Sequence, residues 1–351
     1  RSRSVECADM ALIKAEYLAQ RATRQGLGLR SRLFAGLPRW LHRHRGLRWL
    51  IRWRNRSARV ARLVERTLGL AAARPLPEPA RKPFVRPTAV SESSREGLPE
   101  VVLLVDTFTR QFEPQIAAHA CAVLAAGGYG VHVAEPAVDA VEPDRPLCCG
   151  RTYLAQGLVA QARAEAARMA AALKPHADAG RVIVGLEASC VLGLRDDAQV
   201  LGLAADMAAV GRSVLMLEEF LARELMAKRL VLPLKSAAGQ RLLVHGHCHQ
   251  KAVGAMKAVR RVLRQVPDLE FEMIDAGCCG MAGTFGLEAE HAAFSVAIAE
   301  QALMPALRAA PDAAVMSNGF SCRQQMKGLG DRSGHHLASL LFRQLDAGGG
   351  Q

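Results

Sequence analysis

The 351-residue sequence contains no apolar run of the ~18 to 20 residues that a membrane-spanning helix needs. Its first residues, RSRSVECADM, do not have the pattern of a signal peptide. Both absences predict a cytoplasmic protein, in which cysteines stay reduced. An initiating methionine is also absent, so we expect the chain to be part of a longer protein.

The sequence has no C-x2-C pair, the spacing typical of zinc knuckles, although it contains nine cysteines. Two pairs are instead directly adjacent: Cys148 with Cys149, and Cys278 with Cys279. Adjacent thiols are awkward ligands for a single tetrahedral ion, whereas iron–sulfur clusters accept thiolates in unusual arrangements. A vicinal pair can also exchange with a substrate disulfide. The cysteines therefore indicate metal binding or thiol chemistry rather than structural disulfides.

Acidic residues and lysine are absent between Arg21 and Arg62, a segment with thirteen arginines and all three tryptophans. The net charge of the whole chain is +13, so the basic imbalance is confined to this segment. We expect no nucleic-acid binding, because neither a binding fold nor a spaced stacking platform accompanies the charge. An anionic membrane surface would fit arginines that lie beside tryptophans.

Changes in composition and in hydrophobic periodicity divide the chain into regions. Apolar residues at helical spacing predict helices over residues 8–73, and a Pro-rich linker follows over residues 74–100. From residue 101, apolar strands alternate with Ala-rich helices, which predicts an α/β fold with a buried parallel sheet. The plan occurs twice, over residues 101–215 and 216–345, with connecting helices in VLMLEEFLAREL between the repeats and a flexible tail at residues 346–351. The expected strands are 101–107, 129–136, 181–189, 241–247, 269–277 and 313–321.

Six cysteines occupy matching places in the two repeats, and a seventh has no counterpart. A CCG triplet follows the second strand of each repeat, and one cysteine ends each third strand; these residues are Cys148, Cys149, Gly150 and Cys190, then Cys278, Cys279, Gly280 and Cys322. Cys248 ends the first strand of the second repeat, whereas the first repeat has DTFTR there, near Thr109. Ligands gather at the carboxyl ends of parallel strands, and glycine allows a tight turn beside a bulky group. Packing alone does not explain this placement.

The pattern C-x29-CCG-x42-C, preceded by CCG-x40-C, resembles the cysteine-rich CCG domain of heterodisulfide reductase and of the iron–sulfur subunits of glycolate oxidase and glycerol-3-phosphate dehydrogenase. The motifs DTFTRQFEP, LCCGRTYLAQGLV, GLEASCVLGLRDD, HGHCHQKA, GCCGMAGTFGLEAEH and SNGFSCRQQ are most similar to the carboxyl-terminal part of bacterial FAD-linked oxidases. Those proteins join a flavin domain, which acts on D-2-hydroxy acids, to a ferredoxin-like segment and a CCG domain. VECADMALIKAEYLAQ resembles the helix after that segment, so residues 1–73 would be its Arg-rich helical remnant.

This resemblance implies an oxidoreductase part: an iron–sulfur module that passes electrons from FAD to an acceptor such as a membrane quinone. The parent would be a D-2-hydroxy-acid dehydrogenase of the glycolate, D-lactate or D-2-hydroxyglutarate type. FAD and the ferredoxin-like segment would lie outside this sequence, in a partner domain or subunit. The implied ligands of a 4Fe-4S cluster, cubane or non-cubane, are Cys248, Cys278, Cys279 and Cys322, with an incomplete second set of Cys148, Cys149 and Cys190. Because DTFTR replaces the leading cysteine of the second set, we predict one complete site.

Five polar residues adjoin the implied ligands: His245, His247, His249, Lys251 and Arg323. His247 and His249 flank Cys248 on a predicted strand and so should point away from it. Histidine N–H groups that donate to cluster sulfurs would raise the reduction potential of the cluster. The positive charges of Lys251 and Arg323 would favour the thiolate form of the nearby cysteines. Ordinary hydrogen bonds to the backbone and solvated cations are the plain alternatives.

Two other functions stay open at this point. One is a thiol–disulfide reductase similar to heterodisulfide reductase, and the other is a non-catalytic basic protein stabilised by zinc. For the Arg-rich segment we rank docking on the acidic surface of the missing flavin domain first. The inner face of the membrane comes second.

Overall fold

A computed structural model describes residues 10–44, 46–86, 97–196, 203–330 and 332–346. Cys7 and residues 347–351 of the expected tail lie outside these ranges. Among the described residues, no helix is both long and apolar enough to cross a membrane. The amino-terminal region is helical as predicted, with helices α1 to α5 at Met10–Gln25, Leu29–Ala35, Leu37–Arg43, Leu47–Arg56 and Ala58–Leu68.

Arginines of the basic segment fasten these helices to the rest of the protein. Buried Arg54 donates to the carbonyl oxygens of Arg74 (2.6 Å) and Ala71, and Arg48 donates to Pro79 O at 2.7 Å. Arg30 pairs with Glu290. The segment is therefore not a uniform basic surface, because part of its charge is used within the fold.

The Pro-rich linker begins as an extended segment that contacts both repeats. Arg74 donates to the side chain of Gln325 in the second repeat. Further along, Phe84 is buried, and its N–H donates to Arg110 O in the first repeat at 2.9 Å. Residues 71–86 therefore hold the two repeats and the amino-terminal helices to one another.

Two parallel sheets form the centre of the protein, which confirms the predicted α/β fold. The first contains β1 to β4 at Glu100–Leu104, Gly130–Val133, Val182–Gly185 and Val214–Met216, in the order β2-β1-β3-β4. The second contains β5 to β7 at Arg241–Val244, Glu270–Met273 and Ala314–Met316, in the order β6-β5-β7. The order of the first three strands is thus the same in both repeats, as a duplication requires.

Helices follow the strands in both repeats. In the first they are α6 to α12, at Thr107–Phe112, Pro114–Ala126, Arg151–Leu154, Val159–Asp178, Ala188–Arg195, Ala204–Ser213 and Leu217–Met226. In the second they are α13 to α18, at Cys248–Ala252, Met256–Leu263, Ala292–Glu300, Leu303–Ala309, Phe320–Gly330 and Leu337–Gln344, with a 3₁₀ turn at Phe285–Leu287. The first two helices of the first repeat are separated at Glu113, after which Pro114 begins a new helix.

The predicted strands were too long at their carboxyl ends. Residues 105–107, 186–189, 245–247 and 317–321 lie outside the strands. Side chains that cap helices explain the early ends: Asp106 accepts from the N–H groups of Phe108 and Thr109, and Glu187 accepts from Ser189 N. The prediction of helix alone in VLMLEEFLAREL was also wrong, because Val214–Met216 is the fourth strand of the first sheet.

One apolar core joins the two repeats. It contains Leu103 of β1, Val244 of β5 and Met316 of β7, together with Phe220 of α12 and Leu337 of α18. All five side chains are at most 2 % exposed. One face of each sheet is therefore buried in a core that the two repeats share.

Replacing Arg54 with alanine should lower the free energy of unfolding by about 2 kcal/mol, because two buried carbonyl groups lose a charged donor. The matched control is Arg56→Ala on the same helix, where the side chain is exposed. Urea unfolding measures both variants. Equal stabilities of the two would contradict the anchoring role of Arg54.

Candidate metal centre

The ligand candidates of the second repeat lie just beyond the strand ends, in the turns that begin helices. Cys248 is the first residue of α13, with His247 as its cap, and Cys322 lies in the first turn of α17. The expectation that they end strands was therefore wrong in detail, although β5 and β7 are adjacent and bring both to the same edge. The first turn of a helix exposes N–H groups that favour a thiolate.

Four thiols of the second repeat interact in a chain from Cys248 to Cys278, Cys279 and Cys322. A hydrogen bond from Cys248 lowers the pKa of Cys278, and one from Cys279 lowers the pKa of Cys322. The same bonds raise the pKa values of the donors Cys248 and Cys279. Cys279 and Cys322 are buried, whereas Cys248 and Cys278 are partly exposed. The structure thus brings all four predicted residues into one cluster of thiols.

The thiols of the first repeat form a second cluster. Cys149 Sγ donates to Cys190 Sγ at 3.2 Å, and the thiol of Cys148 donates to Cys149. That bond and burial together raise the pKa of Cys148. Cys190 lies in the first turn of α10, the place that Cys322 has in α17. The matching of the two sets, expected from sequence spacing, is therefore present in space.

The first repeat has no thiol at the place of Cys248. Its first helix is capped by Asp106, and the first helical residue is Thr107, so Thr107 rather than Thr109 corresponds to Cys248. The Asp106 carboxylate accepts from Thr109 Oγ1 at 2.6 Å and from Phe108 N at 2.8 Å. Burial raises the pKa of this carboxyl group. A capping interaction thus stands where the second repeat has a ligand candidate.

His245 is the most informative neighbour of the four thiols. Its side chain is 1 % exposed, and neither ring nitrogen has a hydrogen-bond partner among the described residues. The ring faces Cys322 closely enough to help lower the pKa of that thiol, although the contact does not have the distance and angle of a hydrogen bond. Burying an unsatisfied polar group costs about 1–3 kcal/mol. A sulfur-containing group held by the thiols would provide the acceptor that the ring lacks, so these residues fit an iron–sulfur cluster.

The other two histidines have different environments. His247 Nδ1 accepts from His249 N at 3.2 Å, which leaves Nε2 to donate to Ser189 Oγ at 3.4 Å. Its ring also lies next to Gly319 in the loop before Cys322, so the ring faces the segment that carries Cys322. His249 instead contacts Asp196 at 3.1 Å. His247 thus joins the two cysteine clusters, whereas His249 joins the two repeats further out.

The two cations are engaged by the protein. Lys251 Nζ donates to the carbonyl oxygens of Ala276 and Gly277, just before Cys278, and still lies close enough to lower the pKa of Cys248. Arg323 is buried, pairs with Glu113 and donates to Ser317 O at 2.9 Å. Both side chains position the segments that carry ligand candidates, and neither is a solvated cation.

The glycines of both CCG triplets adopt left-handed conformations, with φ of 79° at Gly150 and 87° at Gly280. A Cβ at Gly150 would lie 2.7 Å from Ala162 O, and one at Gly280 would lie 2.2 Å from Ser295 O. The group that each glycine approaches closely is therefore a helix backbone, that of α9 for Gly150 and that of α15 for Gly280. Each glycine allows the preceding cysteine pair to lie against a helix.

Sequence reasoning missed two residues that support the cysteine segments, Gly319 and Glu218. A Cβ at Gly319 would lie 2.4 Å from the His247 ring and 3.3 Å from Cys322 Sγ. Burial raises the pKa values of two carboxyl groups, Glu187 and Glu218, to about 7. Glu187 accepts from Phe320 N at 2.8 Å, so the cap of α10 also holds the start of α17. An acidic residue in an otherwise apolar run, as in VLMLEEFL, was the available signal for Glu218.

These features define a protein with a cysteine-rich CCG domain. Residues 242–327 match the family model described as "CCG: Cysteine-rich domain", which confirms the resemblance found in the sequence. The matched region begins in β5, ends in α17 and contains all four interacting thiols.

Several curated proteins are similar over a longer stretch. One subunit of the anaerobic glycerol-3-phosphate dehydrogenase of Escherichia coli (strain K12) is 26 % identical over 242 residues, which are 68 % of this chain and 58 % of the relative. D-2-hydroxyglutarate dehydrogenase from the same strain is 27 % identical over 69 % of this chain. The D-2-hydroxyglutarate dehydrogenase of Pseudomonas putida (strain KT2440) is 30 % identical over 69 %. The chain covers only 22 % of the length of each of these two enzymes.

Replacing Gly280 with alanine should cost about 1–3 kcal/mol for the positive φ alone, and more for the contact with Ser295 O. Gly277→Ala is the matched control, because a Cβ there meets nothing within 4 Å and its φ is not positive. Urea unfolding of the reduced, metal-free protein compares the two. A Gly280→Ala variant as stable as Gly277→Ala would contradict the close approach to α15.

The free energy of unfolding should fall as the pH rises from about 5 to 8, in part through Glu187. Burial raises its pKa from the usual 4.5 to about 7, so the folded state binds its proton more tightly than the unfolded state. This stabilisation is complete below pH 4.5 and is lost as the pH passes 7. Glu187→Gln removes the titration, so its pH profile should be flatter than the wild-type profile. Parallel profiles would refute the raised pKa.

Proposed function

We propose that this chain is the iron–sulfur electron-transfer module of an FAD-linked dehydrogenase for D-2-hydroxy acids. The observation that carries the proposal is the convergence of four cysteine side chains, each of which perturbs the pKa of the next, beside the buried imidazole of His245. Cys248, Cys278, Cys279 and Cys322 would hold a 4Fe-4S cluster. When bound, the cluster supplies one-electron transfer between the flavin and an external acceptor.

The residues of this chain contribute binding, orientation and partial exclusion of water. Cys279, Cys322 and His245 lie in the interior, and an imidazole N–H that donates to a cluster sulfur would raise the reduction potential. Cys248 and Cys278 are partly exposed, so electrons would enter or leave on their side. The flavin would be in a domain or subunit beyond this sequence, and D-2-hydroxyglutarate is the substrate named for two of the relatives.

A thiol–disulfide reductase is the second candidate, because Cys149 Sγ and Cys190 Sγ are only 3.2 Å apart. The pKa values of both thiols are raised. Only the thiolate attacks a disulfide, so this pair would react slowly at neutral pH. Disulfide reduction at this pair therefore ranks below electron transfer.

Anaerobically purified protein should contain iron and sulfide in the amounts of one 4Fe-4S cluster, and Cys278→Ser should lose most of both. Cys121→Ala is the matched control, since this cysteine is buried in α7, away from both thiol clusters. Cys149→Ser should keep its iron if the second repeat holds the one complete site. Stoichiometric zinc without iron would overturn the proposal. Rapid turnover of a small disulfide by iron-loaded protein without a flavin partner would favour the second candidate.

The proposal includes a docking surface for the flavin partner on α4 and α5. Trp49 and Trp53 stack with ring centroids 5.6 Å apart and are 64 % and 50 % exposed. Exposed arginines continue this surface along the two helices at Arg56, Arg59 and Arg62. Arginines beside exposed aromatic rings suit an acidic protein surface, and the acceptor, a quinone at the inner face of the membrane, would lie beyond that partner.

Alanine at Trp49 and Trp53 together should weaken association with the proposed flavin partner, because two exposed rings lose their contact area. Titration calorimetry at low and high salt would measure the loss. The same chain should not sediment with phosphatidylcholine vesicles containing phosphatidylglycerol. Binding to those vesicles that the double variant abolishes would instead assign the surface to the membrane.

A further inference from the structure

We infer that Glu218 is a positioning residue that sets the relative placement of Cys248 and Cys322, an inference that rests on the proposed iron–sulfur site. Glu218 lies near the start of α12, and it is 0 % exposed. It contacts neither cysteine, and the two cysteines belong to separate segments. Its carboxylate is connected to both segments by hydrogen bonds.

Each oxygen of the Glu218 carboxylate accepts from a different side-chain amide. Oε1 accepts from Gln250 Nε2, and Oε2 accepts from Asn318 Nδ2 at 3.1 Å. Gln250 and Asn318 are themselves buried, with 1 % of each exposed. One carboxylate therefore joins α13 to the loop that follows β7.

The oxygen atom of each amide is also engaged, which fixes the orientation of both amides. Gln250 Oε1 accepts from His247 N at 3.1 Å and so closes the first turn of α13, where Cys248 lies. Asn318 Oδ1 accepts from Leu337 N at 3.0 Å, and Asn318 stands two residues before Phe320, the start of the helix that contains Cys322. Neither amide can turn over without losing a bond to a backbone N–H.

Both amides consequently present N–H donors to residue 218, and that residue must offer two acceptors. A carboxylate offers two, whereas a glutamine side chain would direct its own N–H₂ group at one of the two amides. An unpaired donor in a buried place is costly, so the turn of Cys248 or the loop before Cys322 would move. The pair of acceptor oxygens, and not the size of the side chain, is the property that we assign to Glu218.

Glu224 is a natural comparison on the same helix. It is also buried, at 3 % exposed, and it accepts from Tyr129 Oη at 2.9 Å and from Arg229. None of these partners lies next to a cysteine of the site. Glu224→Gln therefore removes a buried carboxylate of α12 without touching the segments of Cys248 and Cys322.

The first measurement uses the iron-loaded chain. Loss of iron to a chelator should be about tenfold faster or more in Glu218→Gln than in wild type, because residues that orient ligands affect metal affinity by this amount. The visible and electron paramagnetic resonance spectra should also change. Glu224→Gln should release iron at the wild-type rate, even if it unfolds more easily. Equal iron release from Glu218→Gln and wild type, or equal acceleration in both variants, would overturn the inference.

The second measurement needs no cluster. Dibromobimane becomes fluorescent when it bridges two nearby thiols, and Cys248 and Cys278 are both partly exposed. In reduced, metal-free protein, the ratio of bridged to singly labelled product at this pair should fall severalfold in Glu218→Gln and in Gln250→Ala, and not in Glu224→Gln. Gln250→Ala keeps the test decisive should Glu218→Gln not fold. An unchanged ratio in the folded variants would refute the positioning role, whereas wild-type protein without iron would refute only the proposed function.

Discussion

The hydrogen bond between Glu187 and the N–H of Phe320 is the contact around which the site is arranged. It joins the start of α10, which carries Cys190, to the start of α17, which carries Cys322, across 133 residues of sequence. Because the Glu187 carboxylate is buried, water cannot take its place as the acceptor of the Phe320 N–H. The bond therefore holds the carboxyl ends of the two sheets in a fixed relative position. The contact of Ser189 with His247 lies beside it and brings the two thiol clusters together.

The two repeats share a plan but differ in what they can bind. Both have a CCG turn against a helix and a cysteine in the first turn of a later helix. Where the second repeat has Cys248 after a histidine cap, the first has Thr107 after Asp106. A carboxylate that accepts from two backbone N–H groups and a threonine hydroxyl is well satisfied without a metal. The buried ring of His245, by contrast, has no partner among the described residues.

The sequence predicted the fold class, the repeat and the convergence of Cys278, Cys279 and Cys322, because parallel strands place their carboxyl ends at one edge. It did not predict the orientation of the His247 ring. That ring accepts the N–H of His249 and so caps α13, which strand periodicity does not indicate. It missed Glu218, whose partners are 32 and 100 residues away in the chain. Local sequence patterns indicate strands and helices. The hydrogen bonds that position the cysteine segments join residues far apart in the sequence, and no local pattern indicates them.

The common core of the two repeats has a consequence for how such a site can diverge. Leu103 of the first sheet and Val244 of the second belong to one apolar cluster, so each repeat covers apolar side chains of the other. A substitution at a ligand position of one repeat changes what that repeat can bind and leaves this packing in place. The first repeat can therefore carry Thr107 where the second has Cys248 and still be needed for packing. One half of the duplicated domain then serves as the structural support of the other half.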